Sequence, residues 1–205
     1  MQVKNKKMYH FHKNNKYNEL WIVGNTLEID NNFNTLFLDV TNEFNTAVDC
    51  TDGTRKSFNS IINGYLEEKQ EEETYIEMLK EASRIIYNTN IFKREKALEE
   101  VRQNKFSHLP SRKHSIWVTD KRGLKFWNNA LGSEQNNLIL FEVLLTGNLF
   151  KSSDYFLPDN ELTYEETLKA AENYWKPNYS LVDADKSEYL FQGSLKIAKQ
   201  LHKVL

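Results

Sequence analysis

Residues 66–106 contain neither proline nor glycine, and they set Tyr75, Met78, Leu79, Ala82, Ile85 and Ile86 at helical spacing. A stretch of this kind excludes an all-β chain. Its acidic lead over residues 67–73 suits the positive end of a helix macrodipole, as a solvated helix start rather than a catalytic cluster. Asn88-Thr89-Asn90 predicts a break, with a second helix over 91–104 carrying Arg94, Glu95 and Arg102.

Strand-like segments surround the helical stretch. Residues 7–11 read as a first strand that meets the polar Lys13-Asn14-Asn15-Lys16, and period-2 alternation sets His10 and His12 on one face. With no third ligand at a readable spacing, no metal site is assigned to that pair. Residues 17–27 read as a short helix or turn through Trp21-Ile22-Val23-Gly24, then Thr26-Leu27-Glu28-Ile29 as a short extended piece, and 31–50 as loop with short strand or helix pieces.

Pro110 denies helix continuation in Phe106-Ser107-His108-Leu109-Pro110-Ser111-Arg112, which leaves Arg112 in a connector suited to a planar, bidentate grip on phosphate. A strand over 115–119, a turn from Asp120 to Arg122 and a helix over 124–131 bring Trp117 and Trp127 from adjacent elements. Residues 138–146 read as a buried central strand in which Glu142 needs a partner or an exposed edge. Thr163-Tyr164-Glu165-Glu166 caps a helix that closes before Pro177. On the last strand, 187–197, Glu188, Leu190, Gln192 and Ser194 share one face while Tyr189, Phe191 and Leu195 take the other, and Gly193 permits a bend. The basic run 196–203 reads as a solvated end.

No linker-like composition divides the 205 residues, so a single domain over 1–205 is expected. A net charge of -2 offers no overall attraction to phosphate backbones. The apolar run 138–145 is broken by Glu142 and falls short of the ~20 residues a membrane helix needs. A lone cysteine, Cys50, fits a reducing compartment, and the cytoplasm is the expected location. The four Trp, ten Tyr and twelve Phe must fill a core or line a pocket.

In order, these pieces resemble the ADP-ribosyltransferase superfamily, in its diphtheria-toxin and poly(ADP-ribose)-polymerase-like branch, whose signature is a His, a Tyr and a Glu on three strands. Tyr9-His10-Phe11 resembles the strand whose His holds a ribose of NAD. Ser115-Ile116-Trp117-Val118-Thr119-Asp120 and the following Phe126-Trp127 resemble the strand and helix around the nicotinamide, and Glu188-Tyr189-Leu190-Phe191 resembles the strand of the catalytic Glu. Trp117 stands where the family has Tyr, and Lys186 stands two positions before Glu188, where Arg-directed transferases carry Glu or Gln. The chain also resembles a bacterial domain family of unknown function, through His10-Phe11-His12, Leu109-Pro110-Ser111-Arg112, Tyr174-Trp175, Glu188 and Gly193-Ser194-Leu195-Lys196.

The first resemblance implies an α+β fold, a split antiparallel sheet of ADP-ribosyltransferase type with intervening helices. It implies NAD as co-substrate, Glu188 as the catalytic carboxylate, and His10, Phe11, Arg112, Trp117 and Trp127 as NAD-binding residues. The implied activity is transfer of ADP-ribose to a protein or nucleic-acid acceptor, in a toxin or phage-defence effector with a neutralising partner and no membrane association. The alternatives are NAD hydrolysis, or a catalytically inactive nucleotide-binding or interaction domain on the same fold.

Overall fold

The computed structural model describes residues 1–13, 18–30, 47–49, 55–57, 60, 62–63, 72–132 and 137–201. In chain order the strands are β1 (Gln2–Lys13), β2 (Thr26–Ile29), β3 (Ala47–Asp49), β4 (Arg55–Ser57), β5 (Ile116–Val118), β6 (Leu138–Ser153) and β7 (Ser187–Leu201). The helices are α1 (Glu72–Lys105), α2 (Leu124–Ala130) and α3 (Tyr164–Trp175), with short 3-10 turns between elements. Two compact units result, Met1–Asn34 together with Lys96–Leu205, and Thr35–Glu95.

The first unit is α+β, built on an open antiparallel sheet in the order β1-β6-β7-β2, with β5 paired to β7. β6 and β7 pair from Leu140 opposite Leu201 to Ser153 opposite Ser187. Midway, Gly147 faces Gly193, both at positive φ, and a Cβ on Gly193 would lie 2.6 Å from the Thr146 carbonyl oxygen. Only glycine fits there without strain, and the register runs through the pair unbroken. The sheet also curls: Tyr9 of β1 exchanges two backbone hydrogen bonds with Thr119, just beyond β5, at 2.9 and 2.8 Å.

The two faces of the sheet carry separate cores. Met8, Ile116, Val118, Phe141, Val143, Leu145, Leu149, Phe191, Leu195 and Ile197 come from strands alone and, with Trp21, Leu27 and Ile29, fill the inner face of the curl. Leu190 and Phe150 lie on the outer face, where Leu98 and Val101 of α1, Phe156, and Ala171, Tyr174 and Trp175 of α3 cover them. The alternation of β7 dictates this division, since Phe191 and Leu195 point in while Leu190 points out. Burying each such Leu or Phe contributes roughly 1.5–3 kcal/mol.

Several boundaries differ from the sequence expectation. The predicted break at Asn88-Thr89-Asn90 is absent: α1 runs unbroken, and the Thr89 hydroxyl donates to the Ile85 carbonyl at 2.7 Å within the helix. Satisfied in this way, a polar cluster costs a helix only a few tenths of a kcal/mol per residue. The basic run read as a solvated end is strand through Leu201, because Ile197 is fully buried opposite Val143. Glu142 finds the partner it needs in Lys7, 3.0 Å away. The cap at Thr163 forms as read, with Glu166 returning the bond to the Thr163 backbone. The polar Asn14-Asn15-Lys16, most of 31–50 including Cys50, and the expected helix start at 66–71 lie outside the described residues.

In the second unit β3 pairs antiparallel with β4, and α1 up to Glu95 belongs to it. Of the apolar stripe expected on that part of the helix, Leu79 and Ile86 are exposed. No described helix is long and apolar enough to cross a membrane.

Candidate functional site

Glu188 enters β7 on the outer face, opposite Ser152 of β6, and is only 6% exposed. Its carboxylate is held from two directions. The Tyr174 hydroxyl of α3 donates to Oε1 at 2.6 Å, and Arg112 Nη1 donates to the same oxygen at 3.2 Å. Arg112 also donates to the Tyr174 hydroxyl oxygen, which closes a ring of three side chains. The guanidinium lies over two aromatic rings, 4.6 Å from the Tyr174 centroid and 5.3 Å from that of Trp117. Such stacking favours the weakly hydrated, planar guanidinium over an ammonium.

Local sequence explains how Arg112 reaches this place. Ser111 caps the 3-10 turn Arg112–His114 by accepting from the Lys113 N–H, while its hydroxyl donates to Glu99 at 2.9 Å. Arg102 holds the same connector through the carbonyls of Ser107 and Leu109, and it pairs with Glu99. Burial alone would raise the Glu99 pKa, but Arg102, Ser111 and Gln103 outweigh it and draw the carboxyl below its usual range. The end of α1 thus fixes the loop that delivers Arg112.

β5 lies between β1 and β7, and Trp117 links what the two carry. Its ring, level with Leu190 in the register, faces Arg112 on the outer side, while its carbonyl lies 2.8 Å from His10 Nδ1. A carbonyl only accepts, so Nδ1 carries the proton. The His10 ring stacks on Trp21 at 4.4 Å, and His12 stacks on the same indole at 4.7 Å. Desolvation pulls the His10 pKa down to about 4, with the Trp117 carbonyl pushing it up and His12 pushing it further down. The ring is neutral at pH 7.

The structure therefore joins Glu188, Arg112 and Trp117 directly and His10 only through the Trp117 backbone. His10, opposite Phe141, faces the inner core, whereas Glu188 faces the outer one. Phe11, next along β1, alternates to the face opposite His10 and is half-buried. Trp127 of α2 donates its indole N–H to the Ser187 carbonyl at 3.0 Å, steadying the backbone just before Glu188. On the inner face, Tyr189 donates to Asp120 at 3.3 Å; burial and that carboxylate push its pKa up to about 12.

Sequence reasoning missed the role of Tyr174, which is completely buried. The signal was there in the i, i+4, i+7 row Thr167, Ala171, Tyr174 on the buried face of α3, because a phenol at so deep a position needs a hydrogen-bond partner. A separate cavity of about 390 Å³, lined by Phe156, Leu162, Asn173, Lys176, Asn178 and Leu181 among others, contains none of the expected site residues.

Fold and site together define an α+β domain with a curled antiparallel sheet whose outer face buries an Arg-Tyr-Glu ring. Residues 8–203 match the family described as "Protein of unknown function (DUF2441)", and the chain belongs to that family. No curated protein matches the chain.

Proposed function

We propose that the chain is an NAD-dependent ADP-ribosyltransferase, with a sheet of the corresponding split type. It cleaves the nicotinamide-ribose bond and passes ADP-ribose to a protein or nucleic-acid acceptor. The observation that carries the reading is the adjacency of β1, β5 and β7: His10 is bonded to the Trp117 carbonyl at 2.8 Å, and Trp117 packs on the Arg112 that holds Glu188. These are the three strands on which the resemblance expects its His, aromatic and Glu residues.

In this reaction the bond between ribose C1′ and the nicotinamide nitrogen breaks, and its electron pair leaves with neutral nicotinamide. An acceptor nucleophile bonds to C1′ and loses its proton. The intervening oxocarbenium-like charge resembles that in glycoside hydrolysis, and an ionised carboxylate fixed on a rigid strand stabilises it by preorganisation. Glu188 supplies that carboxylate, Trp117 and Trp127 the aromatic surface for the ring, and His10 the ribose contact, with Phe11 a further NAD-binding residue. Arg112 holds Glu188 at 3.2 Å; its expected grip on the pyrophosphate requires it to exchange that partner. A cytoplasmic effector with a neutralising partner is the biological setting this reading carries.

A second reading, an inactive nucleotide-binding or interaction domain, draws support from the same site. Arg112 and Glu188 are about 5% and 6% exposed and bonded to each other, and His10 faces the other core. One experiment separates the two: NAD is incubated with wild type or Glu188→Gln protein in host lysate and followed by mass spectrometry. The transferase reading expects free nicotinamide and an ADP-ribose mass on a lysate component with wild type alone. Nicotinamide without a labelled acceptor indicates hydrolysis, and NAD binding with no turnover by either protein sinks the enzymatic reading in favour of the second.

A further inference from the structure

Tyr174 is the largest fully buried side chain of the described residues, and three neighbours fix it. Its backbone carbonyl accepts from the Ser152 hydroxyl at 2.8 Å, and Ser152 is the strand partner of Glu188. Its ring lies beneath the Arg112 guanidinium, and the adjacent Trp175 is pinned by its indole N–H to the Leu98 carbonyl at 2.8 Å. From this anchored position its hydroxyl donates to Glu188 Oε1 at 2.6 Å while accepting from Arg112.

We infer that Tyr174 is the positioning residue of this site, orienting the Glu188 carboxylate through its phenol hydrogen bond and holding Arg112 in register with it. The inference rests on the proposed role of Glu188, but the geometry it invokes exists without any substrate. A buried phenol that only filled space would leave its hydroxyl to whatever acceptor lay nearest. This one completes a three-membered ring with the two charged groups. A carboxylate set on a strand alone keeps rotational freedom about its terminal torsion; a short bond from a second, rigid element removes it.

The test compares wild type, Tyr174→Phe, and protein with 3-fluorotyrosine placed at position 174, each as the full chain with NAD as substrate. Tyr179→Phe, which removes an exposed phenol bonded to the Lys151 carbonyl, is the control. Tyr174→Phe is expected to lower kcat roughly tenfold to a hundredfold with KM changed less than about twofold, as for loss of a group acting in the transition state. Fluorotyrosine, which keeps the donor, is expected to retain kcat, and the control to behave as wild type. A folded Tyr174→Phe protein with unchanged kcat overturns the inference. If Tyr174→Phe does not fold, fluorotyrosine decides alone through the side-chain carboxyl ¹³C resonance of Glu188 in ¹³C-glutamate-labelled protein. A shifted resonance supports the bond and an unshifted one overturns it. If wild type releases no nicotinamide, the enzymatic reading fails by itself, and the same resonance in Tyr174→Phe still supports or overturns the positioning role.

Discussion

The hydroxyl of Tyr174 donates to Oε1 of Glu188 at 2.6 Å, tying the last turn of α3 to the start of β7 across the outer core. The carboxylate sequestered there is shared by Arg112. Moving two charges out of water costs several kcal/mol each, and their attraction with the added hydrogen bonds offsets that cost. Stability and the proposed chemistry therefore depend on the same three side chains.

Breaking the pair from one side should be far more damaging than removing it altogether. Arg112→Met alone removes a buried charge partner of Glu188 and is expected to destabilise by about 3–5 kcal/mol in urea unfolding. Arg112→Met with Glu188→Leu should recover most of that loss. A double mutant as unstable as Arg112→Met alone would mean that Arg112 acts through its packing on Trp117 and Tyr174 rather than through its charge.

The stacked His10 makes folding sensitive to acid. Its folded-state value of about 4 lies below the ~6.5 of an unfolded histidine, so below pH 6.5 the unfolded chain takes up a proton that the folded chain refuses. The stabilising contribution is complete above pH 6.5 and is withdrawn as pH falls toward 4, at up to about 1.4 kcal/mol per pH unit. Thermal melting between pH 7 and pH 4 should therefore show a shallower acid decline for His10→Asn, whose amide can still donate to the Trp117 carbonyl. An identical decline in the two proteins would assign the acid sensitivity to other groups.

What the sequence made legible was local. Alternation on β7, the first strand, the cap at Thr163 and the special backbone at Gly193 all follow from side-chain period and backbone freedom, which neighbouring residues determine. Asn88-Thr89-Asn90 misled because propensity weighs less than the bond Thr89 makes inside α1. The basic run from Lys196 misled because its charges hid the pairing with β6, which carries the strand on to Leu201 opposite Leu140. At the site, Glu188, Arg112 and Trp117 could be named from residue type and position, but their partner could not. Arg112 meets Tyr174 across 62 residues, and the split between inner and outer faces that separates His10 from Glu188 depends on strand pairing.

The capping box of α3 is exposed and independent of that ring, which makes it a clean probe of how far the helix supports it. The Thr163 side chain accepts from the Glu166 N–H, and Glu166 accepts from the Thr163 N–H at 2.9 Å. The Thr163 hydroxyl, donating to the Glu166 carboxylate at 2.7 Å, and then the Thr163 backbone N–H draw that carboxyl below its usual range. Thr163→Ala should cost about 1 kcal/mol. The Tyr174 end of the helix should keep its slow amide exchange while the first turn frays. Loss of protection at both ends would mean that α3 docks as one cooperative unit.

Gly193 tests the close approach of β6 and β7 at their paired glycines. At a φ of +131°, with an added methyl only 2.6 Å from the Thr146 carbonyl oxygen and 2.9 Å from the Gly147 Cα, Gly193→Ala meets the backbone of β6. The two closest atoms are backbone and cannot swing aside, so the strand pair must open or the φ must change, and either disturbs the ladder that sets Ser152 opposite Glu188. The expected loss exceeds the roughly 1 kcal/mol of an ordinary left-handed glycine replaced by alanine. Because Glu188 lies on the same strand, a short way before Gly193, the substitution should also shift its side-chain carboxyl resonance. If Gly193→Ala unfolds like wild type and leaves that resonance in place, β6 and β7 can absorb a methyl group there, and the paired glycines are not required for their close approach.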